Sequence, residues 1–152
     1  MSTTTLEAFP VIGISVRTSN QDNRAMKDFP ALRQRFQQEN VLQNIPNMAS
    51  GEVYCIYTEY EGDHMQPYTV VIGCQVSNLE EVPEGMTSLT IQAGSYERFE
   101  AKGNMLEGAV AQAWYAIWTS ELDRCYQTDF EVYGEDARDM TNARVDVMVG
   151  VK

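Results

Sequence analysis

The chain has 152 residues, 43% of them hydrophobic and 22% charged, a balance that suits one compact soluble domain and excludes a disordered polymer. Eleven basic against 22 acidic side chains leave a formal charge of -11, so a general basic surface for DNA, RNA or anionic lipid is excluded. Three cysteines, Cys55, Cys74 and Cys125, cannot all pair. With His64 as the single histidine, disulfide scaffolds, zinc sites and thioredoxin-like sites lose their usual residues. Reduced thiols, a cytoplasmic location and no metal or cofactor are expected.

The N-terminal stretch, residues 1–10, lacks the basic and apolar runs of a signal peptide. No apolar run reaches the roughly eighteen residues of a membrane span. The first strand is expected over Phe9 to Arg17, where β-branched residues crowd a short run. A helix follows within Met26 to Asn40 on the spacing of Phe29, Leu32 and Phe36. Pro30 suits a first turn, so the regular part is expected to begin near Asp28 or Phe29. Residues 44–51 read as a loop. Strands are expected over Val53 to Tyr60 and Tyr68 to Val76, joined by a loop that carries His64, and the acidic residues 77–85 read as a junction. Met86 to Phe99 reads as one long strand bent at Gly94. Asn104 to Leu122 reads as a helix opened by an Asn104/Glu107 capping box. Phe130 to Tyr133 and Ala143 to Val151 read as the last strands. The order is β-α-β-β followed by β-α-β-β. The fold class is therefore expected to be α+β, a single domain over 1–152 with repeat halves at about 6–77 and 86–151. A pseudo-two-fold would relate the halves, and a ligand groove would lie between them.

Aromatic residues carry the functional signal: 8 Tyr, 5 Phe and 2 Trp. Alternation places Tyr57 with Cys55 and Glu59 on one strand face, and Tyr54 with Ile56 and Tyr60 on the other. Helical spacing stacks Trp114 over Trp118. Glu131 sits between Phe130 and Val132 and shares a face with Tyr133. Two readings stand: Glu131 points at solvent, or it is a carboxylate walled by rings. The second would suit an organic cation, which gains cation–π attraction from the rings and relieves the cost of a buried charge. Tyr96 and Met26 complete the candidate ligand-binding set. Asp146 has no assignable face. The pairs Glu80-Glu81 and Glu135-Asp136 read as solvated loops, and Cys55 and Cys74 read as buried structural thiols facing across neighbouring strands. No catalytic residue is assigned.

Residues 10–14 (Pro-Val-Ile-Gly-Ile) and 16–20 (Val-Arg-Thr-Ser-Asn) begin a pattern that continues through Tyr68 to Gly73, Lys102-Gly103, the Trp114/Trp118 helix, Phe130 to Tyr133 and Val147 to Val149. Taken in order, it resembles the effector-binding domains of AraC-type and MerR-type multidrug regulators and their stand-alone gyrase-inhibitory-like relatives. The solitary versions carried on bacterial integron cassettes are the nearest in kind. The resemblance implies a duplicated β-α-β-β fold that binds amphipathic, often cationic, molecules against aromatic walls and an acid. The family's Phe-Glu-x-Tyr pattern matches Phe130-Glu131-Val132-Tyr133, and its helix tryptophans fall on Trp114 and Trp118. Tyr54 and Tyr57 follow from their place in the first-half strand, and Cys55 stands where a first-half acid would. With no helix-turn-helix segment, direct nucleic-acid binding is not expected, nor is membrane binding. A protein partner or a homodimer remains open. Two rival functions are an acidic inhibitor or interaction module acting on a DNA-handling enzyme, and a small hydrolase in which Glu131 activates water.

Overall fold

The computed structural model describes residues 2–21, 24–49, 51–62, 66–104, 107–134, 137, 139 and 141–152. His64, Glu135 and Asp136 lie outside the described residues. Among the described residues, eight strands and three helices follow in the order β1 (Ser2–Leu6), β2 (Phe9–Thr18), α1 (Arg24–Gln38), α2 (Val41–Asn44), β3 (Val53–Thr58), β4 (Tyr68–Gln75), β5 (Thr87–Ile91), β6 (Gly94–Gly103), α3 (Ala109–Trp118), β7 (Arg124–Tyr133) and β8 (Ala143–Val151).

The strands form one antiparallel sheet in the order β1-β6-β8-β7-β3-β4-β2-β5. The unit β2-α1-β3-β4 and the unit β6-α3-β7-β8 lie on either side of the β3–β7 seam, so the pseudo-two-fold passes through that seam. β1 adds to the outer edge of the second unit and β5 to that of the first. Residues 92–93 alone join β5 to β6, and residues 7–8 alone join β1 to β2, yet each link connects strands far apart in the sheet order. Three Cα steps reach about 11 Å, so the sheet must curl until its margins approach. The result is a half-barrel.

Curling gives the sheet two apolar faces. One carries Val11, Tyr54, Ile56, Val71, Ile91, Tyr96, Phe130 and Met148, with Leu6 packed against them, so every strand contributes. The other carries Ile12, Ile14, Cys55, Tyr57, Val70, Val145 and Val147 beneath Leu32 of α1 and Trp114 and Ile117 of α3. β2 and β4 approach closely where Gly13 pairs with Gly73. A Cβ on Gly13 would lie 2.1 Å from the Ile72 carbonyl oxygen, so no larger residue fits there.

Several local expectations change. The segment 86–99 is two strands, not one, and they lie towards opposite margins of the sheet. α1 begins at Arg24, several residues before the expected start, and holds Pro30 inside it. α3 begins at Ala109 behind Gly108, whose φ of 95° suits glycine. The Asn104 carbonyl accepts the Glu107 and Ala109 N–H groups in the turn before α3, and the residue at the N-cap is Gly108 and not Asn104. Cys55 lies opposite Ile72, not Cys74, and both thiols are free and buried. Asp146 pairs with Arg98 at 2.9 Å. Glu80 and Glu81 are exposed. No helix among the described residues is long and apolar enough to cross a membrane.

Candidate functional site

On the helix-bearing face, α1 and α3 flank an open groove of about 540 Å³ above the β3–β7 seam. Each helix offers one stripe to it. Met26, Phe29, Pro30 and Arg33 follow helical spacing on α1, and Val110, Ala111, Trp114, Tyr115 and Trp118 do so on α3. The floor is Tyr57 from β3 and Glu131 and Tyr133 from β7, with Tyr60, Tyr68 and Arg124 at one end.

Glu131 pairs with Cys55 across the seam and is 0% exposed. Burial of a carboxylate demands donors. Three neutral groups supply them: the Tyr57 hydroxyl and the Trp114 indole N–H each donate to Oε2 at 2.6 Å, and the Tyr133 hydroxyl donates to Oε1 at 2.5 Å. The donors are themselves fixed by packing. Tyr57 meets Trp114 edge-on with centroids 5.1 Å apart, and Phe29 lies 5.8 Å from Tyr57 on another side. Burial first, with the Glu131 carboxylate nearby, holds the Tyr57 hydroxyl well above its usual range, and Tyr133 moves the same way for the same reasons. Both stay neutral donors near neutrality. Burial first, then Glu131, likewise keeps the Cys55 thiol protonated. Arg33 lines the groove without an ion pair among the described residues. Partial desolvation opposes its charge, but the acidic neighbourhood, with Glu131 as its charged member, prevails and holds it cationic.

Two residues along β7, Asp129 is also 0% exposed. Its Oδ2 accepts from Arg124 Nη2 at 2.8 Å and from the Tyr60 hydroxyl at 2.6 Å, and its Oδ1 accepts the Gly150 N–H at 2.8 Å. Burial opposes the charge of Arg124, and Asp129 outweighs it.

A family model described as integron-associated effector binding protein matches residues 3–151. The chain belongs to that family. The integron cassette protein VCH_CASS2, from the mobile metagenome of Vibrio cholerae, is similar over 99% of this chain and 95% of its own, with 25% identity and a TM-score of 0.75. SAV2435, solved bound to tetraphenylphosphonium, shares the fold at a TM-score of 0.81 and 19% identity, over 99% of this chain and 93% of its own. The transcriptional-regulator-like protein YobU of Bacillus subtilis (strain 168) is 24% identical over 144 residues, covering 92% of this chain and 90% of YobU. As a member of the effector-binding family, the chain falls in the class of small-molecule binders.

Of the residues read from sequence, Glu131, Tyr133, Tyr57, Trp114, Trp118 and Met26 line this groove. Met26 is 74% exposed at the rim. Tyr54 and Tyr96 do not reach it. They lie on the other sheet face, where each packs against Phe130 with centroids 5.8 and 5.5 Å apart. Alternation already separates Tyr54 from Tyr57, and Tyr96 hydrogen-bonds the Gln92 carbonyl on that far side. Phe29, Arg33, Tyr68, Tyr115 and Arg124 also line the groove and were not assigned to it; Tyr60, which alternation placed with Tyr54, lines it too, because β3 ends at Thr58 and Glu59 takes a φ of 52°. Helical spacing from Met26 leads to Phe29 and Arg33. No sequence periodicity leads to Arg124.

Proposed function

We propose that the groove binds a planar or amphipathic aromatic cation as effector, with the positive centre set against Glu131 and the rings of Tyr57, Tyr133, Trp114 and Trp118 around it. The observation that carries this reading is a wholly buried carboxylate on the groove floor that has three neutral donors and no ion-pair partner among the described residues. Neutral hydrogen bonds anchor the anion without cancelling its charge, and an arriving cation completes the compensation. The surrounding rings add cation–π attraction worth about 0.5–2 kcal/mol each where water is displaced. Support also comes from SAV2435, which shares the fold and was solved with the aromatic cation tetraphenylphosphonium. Because Trp114 and Trp118 both line the groove, their fluorescence is expected to report occupancy. Titrating tetraphenylphosphonium should quench it saturably, and Glu131→Gln should weaken binding roughly tenfold or more, about 1.4 kcal/mol. Equal affinity of the two proteins would remove Glu131 from the site.

A further inference from the structure

A second charged group in the groove is incompletely satisfied. The Arg124 side chain is 4% exposed and lines the groove. Nη2 is bound to Asp129, and the guanidinium lies over the Tyr126 ring with Cζ 4.4 Å from its centroid. Nε and Nη1 are buried and meet no acceptor among the described residues. Buried donors on a charged group are costly to leave unmade. The same guanidinium lies 5.8 Å from the centroid of Trp114, whose indole N–H reaches Glu131. One indole ring is therefore flanked by an anion with no ion-pair partner among the described residues and by a cation with unmade hydrogen bonds. Arg33 adds a further positive charge to the lining, so the groove itself is far less negative than the chain's net charge of -11.

We propose that the effector is amphoteric: besides its cationic aromatic part it carries an oxygen acceptor, best a carboxylate, that accepts from one of the two open Arg124 donors, Nε–H or Nη1–H. This rests on the cation-binding reading above and deepens it. The bulk field opposes an incoming carboxylate, so a preference for one must come from the groove itself.

A matched pair of probes tests the assignment. Carboxybutyl-triphenylphosphonium and pentyl-triphenylphosphonium share one cation and differ in a terminal carboxylate against a methyl group. Calorimetric titration of the wild-type chain is expected to show the carboxylate probe binding roughly tenfold tighter. Arg124→Lys keeps a charge beside Asp129 but loses the open Nε and Nη1 donors, and should cut the preference to about twofold. Glu131→Gln should weaken both probes while their ratio holds. If the pentyl probe binds equally or more tightly in the wild type, the amphoteric proposal fails and the cation reading stands. If neither probe binds, both fail. A preference lost in Arg33→Gln and intact in Arg124→Lys would put the acceptor on Arg33 and overturn the role given to Arg124. Should Arg124→Lys not fold, the wild-type comparison decides alone.

Discussion

Asp129 and Glu131 are two wholly buried acids on the same face of one strand, and their surroundings differ in kind. Asp129 has a full charge partner in Arg124, a tyrosine and a backbone N–H. Glu131 has a tyrosine on each oxygen and an indole, all neutral. The first cluster is complete on the acid's side and belongs to the architecture, since it ties the start of β7 to Gly150 on β8. The second is complete in hydrogen bonds and incomplete in charge. A protein that only needed a folded seam could fill the Glu131 position with an apolar residue at no loss, because replacing a buried charge by well-packed hydrophobic atoms is often neutral or stabilising. Sequence position does not distinguish the two acids; the identity of their donors does.

The largest expected effect breaks the Asp129 cluster. Arg124→Met leaves a buried carboxylate without its counter-charge and should cost about 3–5 kcal/mol in urea unfolding. Adding Asp129→Leu removes the orphaned charge and should recover a large part of that loss. A double variant no more stable than Arg124→Met alone would mean that the pair does not act as a unit.

Next in size is the contrast itself. Glu131→Gln should leave unfolding stability within about 1 kcal/mol of wild type or raise it, while affinity for tetraphenylphosphonium falls. Asp129→Asn is expected to do the reverse, lowering stability with a smaller change in affinity. Single-hydroxyl deletions sharpen the same contrast one donor at a time. Tyr60→Phe and Tyr133→Phe each remove a donor from a carboxylate and should each cost about 1–3 kcal/mol, but only Tyr133→Phe is expected to change cation affinity as well.

The smallest effect comes from pH. Burial pushes the Cys74 thiol up from 9.0 to about 11 and the Tyr96 hydroxyl up from 10.0 to about 12. Each group holds its proton more tightly in the folded chain than in the unfolded one. Their contribution is therefore full below about pH 9 and is lost as pH rises through about 11 and then 12. Tyr57, Tyr60 and Tyr133 shift in the same direction and extend the loss to higher pH. Urea midpoints should fall across this range, and Cys74→Ala should flatten its lower part.

Much of the half-barrel could be read in advance because most strands carry compact β-branched runs and the helices carry apolar stripes. β1 escaped notice because its sequence, Ser-Thr-Thr-Thr-Leu, is an edge strand with almost no apolar alternation. β5 and β6 merged because β-like residues run almost unbroken across residues 92–93. On the site, alternation paired Glu131 with Tyr133 and helical spacing paired Trp114 with Trp118, and all four line the groove together with Tyr57. These periodicities did not say which sheet face holds the groove. Both faces are apolar in a curled sheet, and Tyr54 and Tyr96 were drawn in from the far one. Arg124 was hidden for a different reason. Residues 124–129 are polar, the pairing slips between Arg124 and Asp129, and Tyr126 takes a φ of 53°, so no period of two survives there to mark a strand.

The most direct test is a thermal melt of the wild type, E131Q and D129N, each with and without saturating tetraphenylphosphonium. Ligand that binds only the folded state raises the melting temperature. The expected result is that E131Q melts as high as the wild type yet loses most of the ligand-induced rise, while D129N melts lower and keeps it. An undiminished rise in E131Q would contradict the assignment of that buried carboxylate to the effector.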